Sequence, residues 1–292
     1  MKPENLNSFK TLSNLVGQGK TLVVQSTQMD LKNNTYVSEL WKRSNGEWKK
    51  FKSGINNFSN PKFGLKENTI FYIKTNRSVQ NKSKSTKSSS TICLQAGRSI
   101  ESIFEVEGSI SNYTLSNNGN FLYIITNEWS EEFKKIENKD SEPMYFENLP
   151  FRFDTKGIIY NKRSHIYRVN LNTKKFSKIV NGDKDNIISI ESLVEAKKSI
   201  IFSYDQYNSK GTMLEEKIGS LEGTKINEIY SSGSMGNLFY YENEINAVGM
   251  KKRFDWPTNT TILKVSNTGK ISYRYPSFDR NIVKAKVNDN TL

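Results

Sequence analysis

The feature that most constrains the fold is a unit that recurs five times along the chain: a short turn, a strongly apolar run, then a hairpin with two β-rich arms. The turn and apolar run read GQGK-TLVVQ (17–25), LKEN-TIFYI (65–73), NNGN-FLYIIT (117–126), EAKK-SIIFS (195–203) and SMGN-LFYY (234–241). The hairpins read SELWKRSNGEWKKFKSG, TICLQAGRSIESIFEVEG, HIYRVNLNTKKFSKIVNGD, MLEEKIGSLEGTKINEIYSSG and TILKVSNTGKISYRYPS. At their centres stand pairs with turn chemistry: Asn45-Gly46, Ala96-Gly97, Asn172-Thr173, Glu222-Gly223 and Thr268-Gly269. Each unit offers about four strands, at a spacing of about 40–50 residues with one longer interval, which is the pattern of a propeller blade.

The expected fold is therefore all-β: a β-propeller of four-stranded blades, with about five complete blades plus part of another. The 12% aromatic content and abundant Thr, Ile and Val agree with strands. The tail FDRNIVKAKVNDNTL reads as the opening strand of a sixth unit. A propeller closes by covering its strand edges, so a chain that stops in mid-blade is expected to be incomplete. Residues 1–292 are expected to form one domain, interrupted by a charged segment at about 128–149 (EWSEEFKKIENKDSEPMYFENL) with partial helical character. Arg77 to Ser90 reads as a mobile loop.

The chain carries 43 Lys+Arg against 30 Asp+Glu, a net charge of +13. These charges are scattered, which suits solvated faces more than a nucleic-acid footprint. The basic loop has Arg77, Lys82, Lys84 and Lys87 with no interleaved aromatic residue on which a base could stack. One cysteine, Cys93, and one histidine, His165, exclude an intramolecular disulfide and a Cys/His zinc site; no cofactor or metal is expected. Without an apolar leader or a membrane-length apolar run, the expectation is a cytoplasmic chain with no membrane partner. Oligomerisation is left open.

Serine-hydrolase chemistry needs a nucleophile, an acid and a later histidine. Ser232-Gly-Ser234-Met-Gly236 lacks the first Gly of a nucleophile elbow, and no histidine follows it. Asn14 to Thr21, NLVGQGKT, has phosphate-loop character but leads into a strand rather than a helix. His165 reads as a structural histidine and Cys93 as a buried thiol. The pairs Glu131-Glu132, Asp183/Asp185 and Glu215-Glu216 read as solvated carboxylates. No catalytic residue is assigned, and the chain alone is expected to be inactive.

One stretch is more specific. Glu147 to Tyr167 reads ENLPFRFDTKGIIYNKRSHIY: the run Phe151-Arg152-Phe153-Asp154-Thr155-Lys156-Gly157, then Asn161-Lys162-Arg163, then His165-Ile166-Tyr167. Gly182-Asp183-Lys184-Asp185 follows the strand, and Ser116-Asn-Asn-Gly119 precedes FLYIIT. This pattern resembles the mid-propeller segment of acylaminoacyl-peptidase-like members of the prolyl oligopeptidase superfamily, with Thr155 in place of the first Gly of the run. The resemblance extends over about residues 8 to 292 and is most specific at 147–185. It implies a seven-bladed parent propeller that caps a C-terminal α/β-hydrolase domain and filters short peptides by size, the catalytic triad lying wholly in that hydrolase domain. The hydrolase domain is absent here and is the implied partner. Phe151, Arg152 and Phe153 are the candidates for facing the substrate cavity, Arg152 through a peptide carboxylate; the structural alternative pairs Arg152 with Asp154. The alternative function is a stand-alone propeller acting as a protein-interaction scaffold.

Overall fold

Alternation of apolar and polar residues builds strands, because successive side chains point to opposite faces. In the computed structural model every apolar run of the repeat is a strand. The structure describes residues 8–33, 35–76, 89–135, 146–149, 152–153, 157–196, 199–223, 225–231, 234–250, 259–266, 268–274, 281–282, 285 and 287. The first sheet holds β1 (Lys10–Gln18), β2 (Thr21–Asp30), β3 (Thr35–Ser44) and β4 (Glu47–Lys52), the second β5 (Asn57–Phe63), β6 (Thr69–Thr75), β7 (Ser89–Ala96) and β8 (Ser99–Glu107). The third begins with β9 (Ser109–Leu115) and β10 (Phe121–Trp129). After it come one helical turn, α1 (Glu131–Lys134), and the short strands β11 (Arg152–Phe153) and β12 (Gly157–Ile158). Two more strands, β13 (Lys162–Asn170) and β14 (Phe176–Val180), complete the third sheet. Past the helical turn α2 (Gly182–Asp185), the fourth sheet holds β15 (Ile187–Ala196), β16 (Ser199–Tyr207), β17 (Leu214–Glu222) and β18 (Lys225–Tyr230). The fifth holds β19 (Ser234–Tyr241), β20 (Glu244–Met250), β21 (Thr261–Val265) and β22 (Ile271–Tyr273). In the first, second, fourth and fifth sheets strands adjacent in sequence are neighbours; the third runs β14-β13-β10-β9.

The chain divides into two compact units. One comprises residues 1–110 with 119–121 and 169–175, the other 111–118, 122–168 and 176–292. In the first unit Val23 and Leu40 of the first sheet pack with Phe58, Ile70, Tyr72 and Cys93 of the second. In the second unit a core cluster joins the fourth and fifth sheets through Ile201, Ile218, Met235, Leu238, Ala247 and Leu263.

In four hairpins the glycine of the turn takes a positive φ (Gly46, Gly97, Gly223 and Gly269), whereas in the third Lys174 does, at φ 59°, and not Asn172 or Thr173. Asn45 and Gly46 lie at φ 53° and 88°, the left-handed pair that matches the twist of a tight hairpin. Three expectations shift. Gly17 and Gln18 end β1, so the first turn falls at Gly19-Lys20. In the fifth unit, Ser234 to Tyr241 is a single strand, the first of its sheet, and the second is β20. The register slips between Gly236 and Phe239 with Asn237 at φ 45°, so Gly-Asn forms a bulge inside a strand instead of a turn before one. The charged segment begins later than 128, because Glu128 is a buried residue of β10.

Of the basic loop, Ser89 and Ser90 open β7, and 77–88 lie outside the described residues. Most of the expected sixth-unit strand lies outside them too. Asn281, Ile282, Ala285 and Val287, which are described, are not in a strand. Ile282, Ala285 and Val287 pack against Phe239, Val248 and Ile262 of the fifth sheet.

Candidate functional site

The segment singled out in the sequence is built onto the third sheet. At the end of β10 the chain turns out at Ser130, whose N–H donates to the Asn161 carbonyl at 2.7 Å. The insertion thus leaves and returns at one point. Ser130 caps α1, its hydroxyl accepting the Phe133 N–H at 3.2 Å, and Phe133 is buried against Trp129 with ring centroids 4.6 Å apart. Past the segment's middle, the Leu149 N–H donates to the Gly211 carbonyl at 2.7 Å in the β16–β17 turn. Phe146 meets Tyr160 edge-on at 5.5 Å, and Ile159 joins a core of Ile188, Tyr207 and Leu214.

Between these anchors stands the β11–β12 hairpin, with Arg152 opposite Ile158 and Phe153 opposite Gly157. Arg152 is exposed, as a residue free to meet a ligand must be. Phe151 and Asp154 lie outside the described residues, so the Arg152–Asp154 alternative does too, and Phe153 is described only as a strand residue.

At the foot of the insertion the third sheet carries a buried polar cluster whose main acceptor, Glu128, was not singled out from the sequence. Thr126 and Glu128 lie two apart on β10, as do His165 and Tyr167 on β13, which places each pair on one face. One Glu128 oxygen accepts the Thr126 hydroxyl at 2.9 Å and the Tyr167 hydroxyl at 3.0 Å, and the other lies 3.5 Å from the Lys134 ammonium. Lys134 also holds Glu131 at 2.8 Å. Burial works to lower the Lys134 pKa, but its hydrogen bond to Glu131 and the charge of Glu128 carry it above the ordinary value. Burial and the Glu128 charge push the Tyr167 phenol well up.

His165 is fully buried. Its Nδ1 accepts the Gly182 N–H at 3.0 Å, while Nε2 makes no hydrogen bond to a described residue and lies 3.8 Å from Asp183. Asp183 in turn accepts the Glu131 N–H at 3.3 Å. Burial, reinforced by Lys178, lowers the His165 pKa from 6.5 to about 4, so the ring is a neutral acceptor at neutral pH. The nearby hydroxyls are committed: Ser164 donates to the Thr126 carbonyl at 3.0 Å and Ser130 caps α1. The cluster therefore ties the insertion to the sheet; among the described residues no nucleophile is aimed at its histidine. Ser234 stands elsewhere, opening β19 opposite Met250. Cys93 is buried beside Tyr72, and burial raises its thiol pKa. Among the described residues no three His, Cys, Asp or Glu gather to hold a metal, and no helix is long and apolar enough to cross a membrane.

No protein-family model matches the chain, and no curated protein matches it. Solved structures do. Acylaminoacyl peptidase from Pyrococcus horikoshii aligns at TM-score 0.69 and 14% identity, over 97% of this chain and 42% of that one. The β-propeller domain of the trilobed protease from Pyrococcus furiosus aligns at TM-score 0.63 and 13% identity, over 96% of this chain and 77% of that one. The fold is a β-propeller. A puromycin-hydrolysing peptidase from Mycobacterium tuberculosis aligns at TM-score 0.55 and 12% identity, over 93% of this chain and 40% of that one. The five four-stranded sheets are thus propeller blades, and the chain spans less than half the length of the two full peptidases. The all-β, five-blade expectation holds.

Proposed function

We propose that this chain is the non-catalytic propeller part of a serine peptidase of the acylaminoacyl-peptidase type, capping an α/β-hydrolase domain and admitting short peptides to its active site. The observation that carries this reading is the span of the likeness: nearly all of this chain, but less than half of the peptidase chains. The arrangement of the third blade supports it. The insertion is pinned at its base by Ser130 and Asn161 and braced on the fourth blade at Gly211, which holds the Arg152 hairpin on an anchored support. An exposed guanidinium there can take a peptide carboxylate in two parallel hydrogen bonds, with Phe151 and Phe153 as apolar neighbours. Residues 1–292 together serve as the propeller part. A single, buried cysteine suits a reducing compartment, and we place the protein in the cytoplasm.

The test is size selection. A candidate hydrolase domain is assayed on a short blocked peptide and on a long unfolded polypeptide, with and without this chain. The proposal expects the chain to suppress cleavage of the polypeptide while leaving that of the short peptide intact. Equal effects on both substrates would contradict it.

A further inference from the structure

A cleft of ≈ 860 Å³ opens between the fourth and fifth sheets, within the range of about 300–1,000 Å³ that small-ligand sites occupy. Its floor is apolar, made by Ile229, Ile245 and Val265, where the core between these sheets ends. Its mouth carries a carboxylate, Glu222, on the β17–β18 turn and an ammonium, Lys270, on the β21–β22 turn. Both side chains are exposed, and neither makes a hydrogen bond or ion pair to a described residue, in contrast to Lys264 in the same cleft, which is bound to Glu244 at 2.8 Å.

The walls are fixed. The Ser266 N–H donates to the Lys270 carbonyl at 3.0 Å, the Gly269 N–H to the Ser266 carbonyl at 3.0 Å, and the Lys270 N–H to the Ser266 hydroxyl at 2.8 Å. Gly269 lies so close to the Ile229 carbonyl that a Cβ would collide with it, which seats this turn directly on β18. The cleft is lined from first-to-second and third-to-fourth strand turns. The Gly211 contact that braces the insertion lies on the second-to-third turn of the fourth sheet, hence at that sheet's other end. This site is separate from the Arg152 hairpin.

We propose that this cleft binds short zwitterionic peptides, with the free N-terminal ammonium on Glu222, the C-terminal carboxylate on Lys270 and an apolar side chain on the floor. An extended chain advances about 3.4 Å per residue, so a tripeptide carries its two end charges about 7–10 Å apart, on the order of the ~10 Å between packed sheets. The idea goes beyond the capping role and needs no hydrolase partner.

Calorimetric titration of the full chain with a free tripeptide carrying a central leucine tests it, beside N-acetylated and C-amidated forms. Expected is saturable binding, weakened about three- to five-fold by either block, the loss an exposed ion pair gives. Lys270→Gln should erase the amidation penalty alone, Glu222→Gln the acetylation penalty alone, and Ser220→Phe, which fills the cleft, binding of every form. Absence of saturation up to about 10 mM, insensitivity to both blocks, penalties that survive in the variants, or full affinity in Ser220→Phe would each overturn the proposal. Since no peptidase activity is measured, its failure leaves the capping role standing.

Discussion

The Nδ1 of His165 accepts the N–H of Gly182 at 3.0 Å across 17 residues of chain, so a buried imidazole closes the turn that begins α2. A buried N–H without an acceptor is costly, and removing the ring also leaves a hole. His165→Leu should lower unfolding stability by about 2–4 kcal/mol. His165→Asn, whose side-chain oxygen can replace Nδ1, should recover part of that. Chemical denaturation of the pair measures it, and equal losses would show that the acceptor contributes nothing.

The same histidine gives stability a pH dependence. The unfolded chain takes a proton near pH 6.5 and the folded chain only near 4, so the unfolded state binds more protons in between. Stability is then fully present above pH 6.5 and falls as the pH drops from 6.5 towards 4, by on the order of 3 kcal/mol. Glu128 and Asp183 pull the ring's pKa up while Lys178 and Lys134 push it down. Denaturation midpoints across this window should flatten in His165→Asn; an unchanged slope there would assign the effect to other groups.

Gly182 also has no room for a side chain: a Cβ would run into the Ser164 carbonyl oxygen, with the Ile187 carbonyl 3.0 Å away. Both obstacles are backbone, which cannot rotate aside. Gly182→Ala should cost about 2–4 kcal/mol. Gly97, at φ 58° with nothing within 4 Å of its absent Cβ, should cost only about 1 kcal/mol as alanine, from backbone strain alone. Thermal unfolding of the two variants would refute this account if their order were reversed.

Glu128 accepts both Thr126 and Tyr167 hydroxyls inside the third blade. Glu128→Leu removes the acceptor of both hydroxyls, while Lys134 keeps Glu131, and should cost about 2–4 kcal/mol. A double-mutant cycle between Glu128→Gln and Tyr167→Phe should give a coupling of about 1–2 kcal/mol. Additivity of the two changes would mean that the 3.0 Å contact carries no energy.

Arg152 is exposed on a two-residue strand, so Arg152→Ala should shift stability by less than about 0.5 kcal/mol. With the hydrolase partner present it should raise KM for peptides with a free C-terminus about three- to ten-fold at nearly constant kcat, the mark of lost uniform binding. A fall in kcat at constant KM would argue against a substrate contact.

The blades were legible because the pattern is strong: FLYIIT and TIFYI recur behind turn residues, and Asn45-Gly46 takes the left-handed backbone its residues favour. The fifth unit misled because Gly236-Asn237 has turn chemistry, whereas the pairing of β19 with β20 continues around it as a bulge. Glu128 was hidden for a different reason. It stands beside Glu131 and Glu132 in a charged run, and its burial depends on a hydroxyl from Tyr167, 39 residues away. The cleft was hidden because Glu222 and Lys270 read as solvated turn residues until β18 and the β21–β22 turn come together at Gly269. Arg152 lies on the surface, where its candidacy requires it.

The central claim, a propeller without its own catalytic power, is met most directly by an assay on chromogenic acyl-amino-acid substrates, run with this chain alone and again with a candidate α/β-hydrolase domain. The account predicts no turnover by the chain alone and turnover with the partner present. Turnover by the chain alone, abolished by a serine-directed inhibitor, would contradict it.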